Sequence, residues 1–231
     1  MTKYIGAILL LVAYNSFAQS DVLKNPKKIT AETLQGITLL ELGPRTRAFD
    51  SAEIEAVAGF VRQGGGLLVV IDEERRSKLL PNGINSILTE FGMEFTADTE
   101  YLHNCGALAK AGVINKADRE VAYSGGRTVK GGIPFGWRLD AKGKVAETYA
   151  AYSEVGNGGR VVALAEGMAN LGMGTASGER LSGVPRNPSK TTYWGKDSKV
   201  FMQEIRNWLI NRQNKSDAGD EVKAQGGAAE L

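Results

Sequence analysis

Short, densely apolar runs alternate along the chain with segments whose apolar residues recur every three or four positions. Residues 37–42 read Ile-Thr-Leu-Leu-Glu-Leu, rich in strand formers and ended by Gly43 and Pro44. From Asp50 the period lengthens. Ile54, Val57, Ala58 and Val61 share one helical face, and Asp50 with Glu53 three residues on has the spacing of a capping box. Gly64, Gly65 and Gly66 stop that helix, and residues 67–71, Leu-Leu-Val-Val-Ile, read as a strand buried on both faces. The order strand, helix, buried strand predicts a right-handed crossover.

Further along, Ile84, Ile87, Leu88 and Phe91 predict a second helix closed by Gly92, with a short strand over 93–95. Residues 104–140 read as irregular, with turns at Gly125-Gly126 and Gly131-Gly132 and one strand over 133–139. A weaker strand is expected over 146–155, and a glycine-flanked buried strand over 160–165. Asp197 is placed to cap a final amphipathic helix through Val200, Phe201, Ile205, Trp208 and Leu209. Strands alternating with helices predict an α/β fold with an open, mainly parallel sheet flanked by helices.

The ends of the chain are compositionally different. A basic start at Lys3, an apolar run over 5–13 and small residues at Ser16 and Ala18 have the three parts of a secretory signal, too short to cross a bilayer. Residues 1–18 are therefore expected to be a signal peptide, with a first strand over 4–12 as the alternative, 19–36 a linker, 37–213 the folded α/β domain and 214–231 a disordered polar tail. The location that follows is periplasmic or secreted, with no stable membrane span once the signal is cleaved. Charge is nearly balanced, 28 Lys and Arg against 26 Asp and Glu, without a basic stripe, so nucleic acid is not an expected partner.

In an open α/β sheet, ligands bind beyond the carboxyl ends of the strands. Three such ends carry polar groups: Pro44, Arg45 and Arg47; Asp72, Glu73 and Glu74; and Glu166, Met168 and Asn170. Asp72, Glu73 and Glu166 have the chemistry to hold a hard cation, transfer protons or bind sugar hydroxyls, and equally to cap helices or pair with Arg75 and Arg76. Arg45 and Arg47 have the forked geometry that grips anions, though loop arginines are commonly just solvated.

Absences narrow the chemistry further. Cys105 is the only cysteine and His103 the only histidine, so no disulfide framework, CxxC site or paired-His zinc site can form within the chain. Nothing near them resembles a strand-to-helix elbow that would expose the thiol and lower its pKa, which argues against a nucleophile and base. There is no Gly-x-Ser-x-Gly elbow and no Walker A loop. No catalytic residue, metal site or cofactor is therefore assigned.

Four segments in order, ITLLELGPRTRAFDSAEIEAVAGFVRQGGGLLVVIDE, NGINSILTEFGMEFTADT, GGRVVALAEGMANLG and YWGKDSKVFMQEIRNWL, resemble the GIFT domain of intraflagellar-transport and gliding-motility proteins. The second carries the family's Asn-x-Leu-Leu-x-x-Phe-Gly-Ile type motif from Asn85 to Met93. The resemblance implies a fold similar to class I glutamine amidotransferases without their catalytic residues. The elbow after residues 67–71 holds Asp72 and Glu73 in place of a cysteine, and no histidine follows 161–165. The resulting expectation is a non-catalytic exported binding or scaffolding domain that recognises a polysaccharide or a cell-envelope protein. Pro44, Arg45, Asp72, Glu73, Asn85, Glu166 and Met168 are its candidate ligand-binding residues. The alternative expectation is a hydrolase of sugars or another small molecule using Asp72 or Glu73 with Glu166.

Overall fold

A computed structural model describes residues 21–44, 47–74, 76–80, 83–98, 106–123, 127–139, 144–165, 167, 169–170 and 196–211. The expected signal peptide, the tail, and His103 and Cys105 lie outside these residues.

The α/β architecture predicted from the sequence is present as an open eight-stranded sheet. One half is parallel: β1 (Asp21–Lys24), β2 (Ile37–Leu42), β3 (Gly66–Val70) and β10 (Gly159–Leu164) lie side by side in that order. The other half is antiparallel and continues through β9 (Val145–Val155), β8 (Ile133–Leu139), β5 (Ala107–Ala109) and β6 (Arg119–Val121). A two-stranded ribbon of β4 (Met93–Phe95) and β7 (Val129–Gly131) stands apart from it. The stretch expected to be a linker, 19–36, thus supplies an edge strand, with Asp21 opposite Ile37.

Helix α1 (Ser51–Arg62) joins β2 to β3 and begins with the predicted box. Asp50 Oδ1 accepts from Glu53 N at 2.9 Å, and Glu53 Oε2 accepts from Asp50 N at 3.3 Å. Its Val57, Ala58 and Val61 are buried. Residue 159 presents no side chain against Val61 of α1, and residue 66 none against Leu209 of α3 (Ser198–Ile210). Because Gly66 pairs with Arg160 and not Gly159, these two glycines face opposite sides, so α1 and α3 sandwich β3 and β10. All five residues of β3 are buried as a result. Among the described residues no helix is long and apolar enough to cross a membrane.

Three local expectations change. Residues 104–140 are less irregular than their text: β5, β6 and β7 are three residues each, too short to show a period, and pairing stabilises them. The strand expected to be weak, β9, is the longest, because it is paired along both edges. Asp197 precedes α3, but its carboxylate does not cap that helix. It accepts instead from Glu120 N at 2.9 Å, while Asp197 N donates to Glu120 O and Ser198 Oγ accepts from Ala122 N. The outer edge of β6 is thereby closed by the start of α3. Helix α2 (Ile84–Leu88) and a tight turn over Thr89–Phe91 end, as expected, at a left-handed Gly92.

Candidate functional site: the strand-end rim

The loop after β2 is organised by a carboxylate. Glu53 is wholly buried, yet it accepts from both Nη atoms of Arg47 at 2.7 and 2.8 Å, from Ile29 N at 3.1 Å and from Asp50 N. Arg47 also donates to the carbonyls of Ala48 and Lys27. The hydrogen bond to Glu53 raises the pKa of Arg47 above its ordinary value. The Asp50 carboxyl is lowered, first by its bond to Lys28 and then by Glu53 N. Arg47 therefore has its fork occupied internally and does not present it to an anion. Pro44 is exposed on the same loop, and Gly43 N donates to Asn25 Oδ1 at 2.6 Å. Arg45 lies outside the described residues.

The loop after β3 is organised by a cation. Arg127, whose side chain is fully buried, donates from Nε to Asp72 O at 2.9 Å, from Nη1 to Thr96 O at 2.9 Å, and from Nη2 to Ser77 O at 2.8 Å and to the Glu74 carboxylate. A guanidinium so deeply desolvated persists only when its donors are met, and here three carbonyls and a carboxylate take four of its five N–H groups. Its bond to Glu74 is the main cause of that carboxyl's lowered pKa. The two expected ligand groups on this loop are also engaged. Asp72 Oδ1 accepts from Glu73 N, Asp72 Oδ2 lies 3.4 Å from Arg76 Nη1, and Glu73 Oε1 lies 3.0 Å from Arg76 Nε. Glu73 is buried and Asp72 half-buried.

Asn85 stands elsewhere and has a different task. Its Nδ2 donates to Phe95 O and its Oδ1 accepts from Phe95 N, both at 2.8 Å, so its amide locks α2 to β4. At the end of β10, Glu166 and Met168 lie outside the described residues. Gly167 comes beside Asp72, since a side chain there would meet Asp72 Oδ2 at 3.7 Å. The ends of β3 and β10 thus share one rim. Behind it Arg206 of α3 reaches Glu41 Oε1 of β2 and Asn170 Oδ1, each at 2.6 Å. Among the described residues no three His, Cys, Asp or Glu side chains are grouped to hold a metal ion.

Arg127 is the residue missed by sequence reasoning. It sits in a glycine-rich, aperiodic stretch, 50 residues or more from the 72–77 carbonyls it holds. The pair of buried Glu41 and half-buried Arg206 had a faint signal, a lone acid inside the apolar run over 37–42. Away from the rim, at the amino ends of the strands, a groove of about 880 Å³ runs between residues 28–37 and α1. Ile29, Leu34, Ala56 and Phe60 are among the side chains that line it.

A family model described as the IFT52 GIFT domain matches residues 15–145. The intraflagellar transport protein 52 homolog of Mus musculus is 34% identical over 114 residues, 46% of this chain and 26% of that protein. Its Homo sapiens counterpart is 33% identical over 112 residues, 45% and 24% of the two chains. The chain thus spans about a quarter of the length of the curated relatives it matches. Among solved structures the mmIFT52 N-terminal domain superposes with a TM-score of 0.56 at 17% identity, covering 81% of this chain and 83% of that one. A glutamine amidotransferase from Methylobacillus Flagellatus is a more distant match at 0.37 and 11%, covering 83% and 82%.

These relatives overturn four expectations. Relatives named as intraflagellar transport proteins contradict an exported carbohydrate-binding domain and a sugar hydrolase alike. The expected localisation, the polysaccharide or cell-envelope partner, the expected export and both functional expectations are corrected accordingly. The physical reason is that a basic residue followed by nine apolar ones describes any short segment seeking burial, not only an export signal. The family match also begins at residue 15, so cleavage after Ala18 would cut into the matched span.

Proposed function

Because the chain belongs to the IFT52 GIFT domain family, we propose that it is a protein-docking domain of a transport assembly, with its strand-end rim serving shape instead of catalysis. The observation that carries this is the occupation of the rim. Arg127 ties the 72–77 loop to the ribbon, Arg76 pairs with both Asp72 and Glu73, and Arg47 is held by Glu53. Charged groups satisfied this way form a stiff surface. The relatives' printed names supply the context, since both are transport proteins. Pro44 and the half-exposed Asp72 are the rim residues placed to meet a partner.

Co-purification under native conditions tests the reading. The expected result is a complex of fixed stoichiometry, well above the 24.7 kDa of the chain, that weakens when Pro44 and Asp72 are replaced together by Arg. A chain that always runs alone, or a turnover abolished by Asp72→Ala, defeats it.

A further inference from the structure

Helix α1 has two working faces. Val57, Ala58 and Val61 are buried in the core. Ala52, Ala56 and Gly59, at steps of four and three residues, line the 880 Å³ groove with Phe60 beyond them. Ala52 is exposed and the other three are half-buried. Ile29 and Leu34 on the facing segment are already buried, so this flank of α1 and the half-buried Ile37 are the apolar surface the groove offers. The end of the Phe60 ring is seated where Gly65 has no side chain. Gly59 has no such task. It lies inside the helix, and nothing among the described residues comes within 4 Å of where its Cβ would stand. Glycine weakens a helix interior relative to alanine, but its bare backbone permits close approach from outside. Three lining residues are charged: Lys28, Glu32 and Glu55. Lys28 is paired with Asp50. Glu32 on one wall and Glu55 on the other are exposed, and neither pairs with a cation among the described residues. Both walls are therefore acidic.

We propose that this groove docks a helix of a partner protein, with an aliphatic face turned to α1 and a Lys or Arg on each flank. Length fits a helix. From Ala52 to Gln63 the groove follows α1 for about 17 Å, or about three turns. Bulk fits as well, since Ala52, Ala56 and Gly59 let a second helix approach to the axis separation of about 8–10 Å seen in packed pairs. Charge selects the partner: basic flanks meet Glu32 and Glu55, whereas an acidic helix is repelled by both walls. This second contact face rests on the docking reading. It lies at the amino ends of the strands, away from Pro44 and Asp72.

The test is fluorescence anisotropy on the full-length chain. The probe is a synthetic helix-locked peptide of about three turns, with Leu and Ala on one face and Lys on both flanks; its counterpart carries Glu in place of Lys. The Lys peptide should bind about tenfold more tightly than the Glu peptide, and Glu32→Lys with Glu55→Lys should reverse that order. Gly59→Leu puts a side chain into the open groove. It should weaken binding by about tenfold or more, while the thermal unfolding temperature stays the same or rises. Pro44→Arg with Asp72→Arg should leave peptide binding unchanged, so failure of the rim reading and failure of this one are seen separately. Three results overturn the proposal: no binding of the Lys peptide, equal affinity for the two peptides, or parent-like binding by a folded Gly59→Leu chain. Self-association of the parent that Gly59→Leu abolishes overturns it as well, by making a second copy the occupant of the groove.

Discussion

The loops that follow β2 and β3 leave neighbouring parallel strands at the same end of the sheet, and each is built on one buried charge, of opposite sign. In the first, Glu53 collects Arg47, Asp50 N and Ile29 N. Two of these partners lie within six residues of it. In the second, Arg127 collects the carbonyls of Asp72, Ser77 and Thr96, all 31 residues or more away, along with Glu74. A carboxylate can gather donors from its own helix start, where free amides converge. A guanidinium needs several carbonyls around a planar fork, and only a folded surface of separate segments offers them. The first loop can thus take shape with its helix, whereas the second requires the ribbon and the main sheet to be in place.

The largest expected effect tests that difference directly. Arg127→Leu leaves three carbonyls without their donor and should destabilise the domain by about 3–5 kcal/mol. Urea unfolding measures the loss, and hydrogen exchange should localise faster opening to residues 72–77. Glu53→Gln should cost less, about 2 kcal/mol, because a neutral amide oxygen still accepts from one backbone N–H. Equal losses in the two variants would erase the contrast between the hubs. Asn85→Ala removes two backbone bonds to Phe95 and should cost about 1–2 kcal/mol in the same assay while leaving both loops closed.

The smallest effect is a pH dependence. The Glu74 carboxyl is lowered in the folded state by Arg127, so the unfolded chain binds its proton first. Its contribution is complete above the ordinary carboxylate value and is lost as pH falls through the depressed folded value. Comparing the parent with Glu74→Gln by thermal unfolding should show a gap at neutral pH that closes in acid. Half-exposure of this carboxylate limits the gap to about 1 kcal/mol or less. A gap that widens in acid would mean that Arg127 takes its stabilisation elsewhere.

Much of the parallel half was legible because its signals are local. The box at Asp50 and Glu53, the helical face of Val57, Ala58 and Val61, the glycine stop and the doubly buried β3 each occupy a few consecutive residues. The antiparallel half was less so. A three-residue strand such as β5 has no period to display, and its place is set by β6 and β8 on either side. Asp197 shows the limit most sharply: its position before α3 was readable, but its carboxylate turns to Glu120, 77 residues away.

The candidate site divides along the same line. That Pro44, Asp72 and Glu73 stand just past strand ends followed from element order alone. What those groups do was decided by tertiary structure, which set Arg76 against both carboxylates, gave Asn85 to Phe95 and brought Arg127 into the rim. Sequence determines which residues prefer helix, strand or turn, because propensity and period act over neighbours. Which polar groups satisfy one another depends on distances in space, and a buried charge takes whichever donors or acceptors the folded chain brings within about 3 Å.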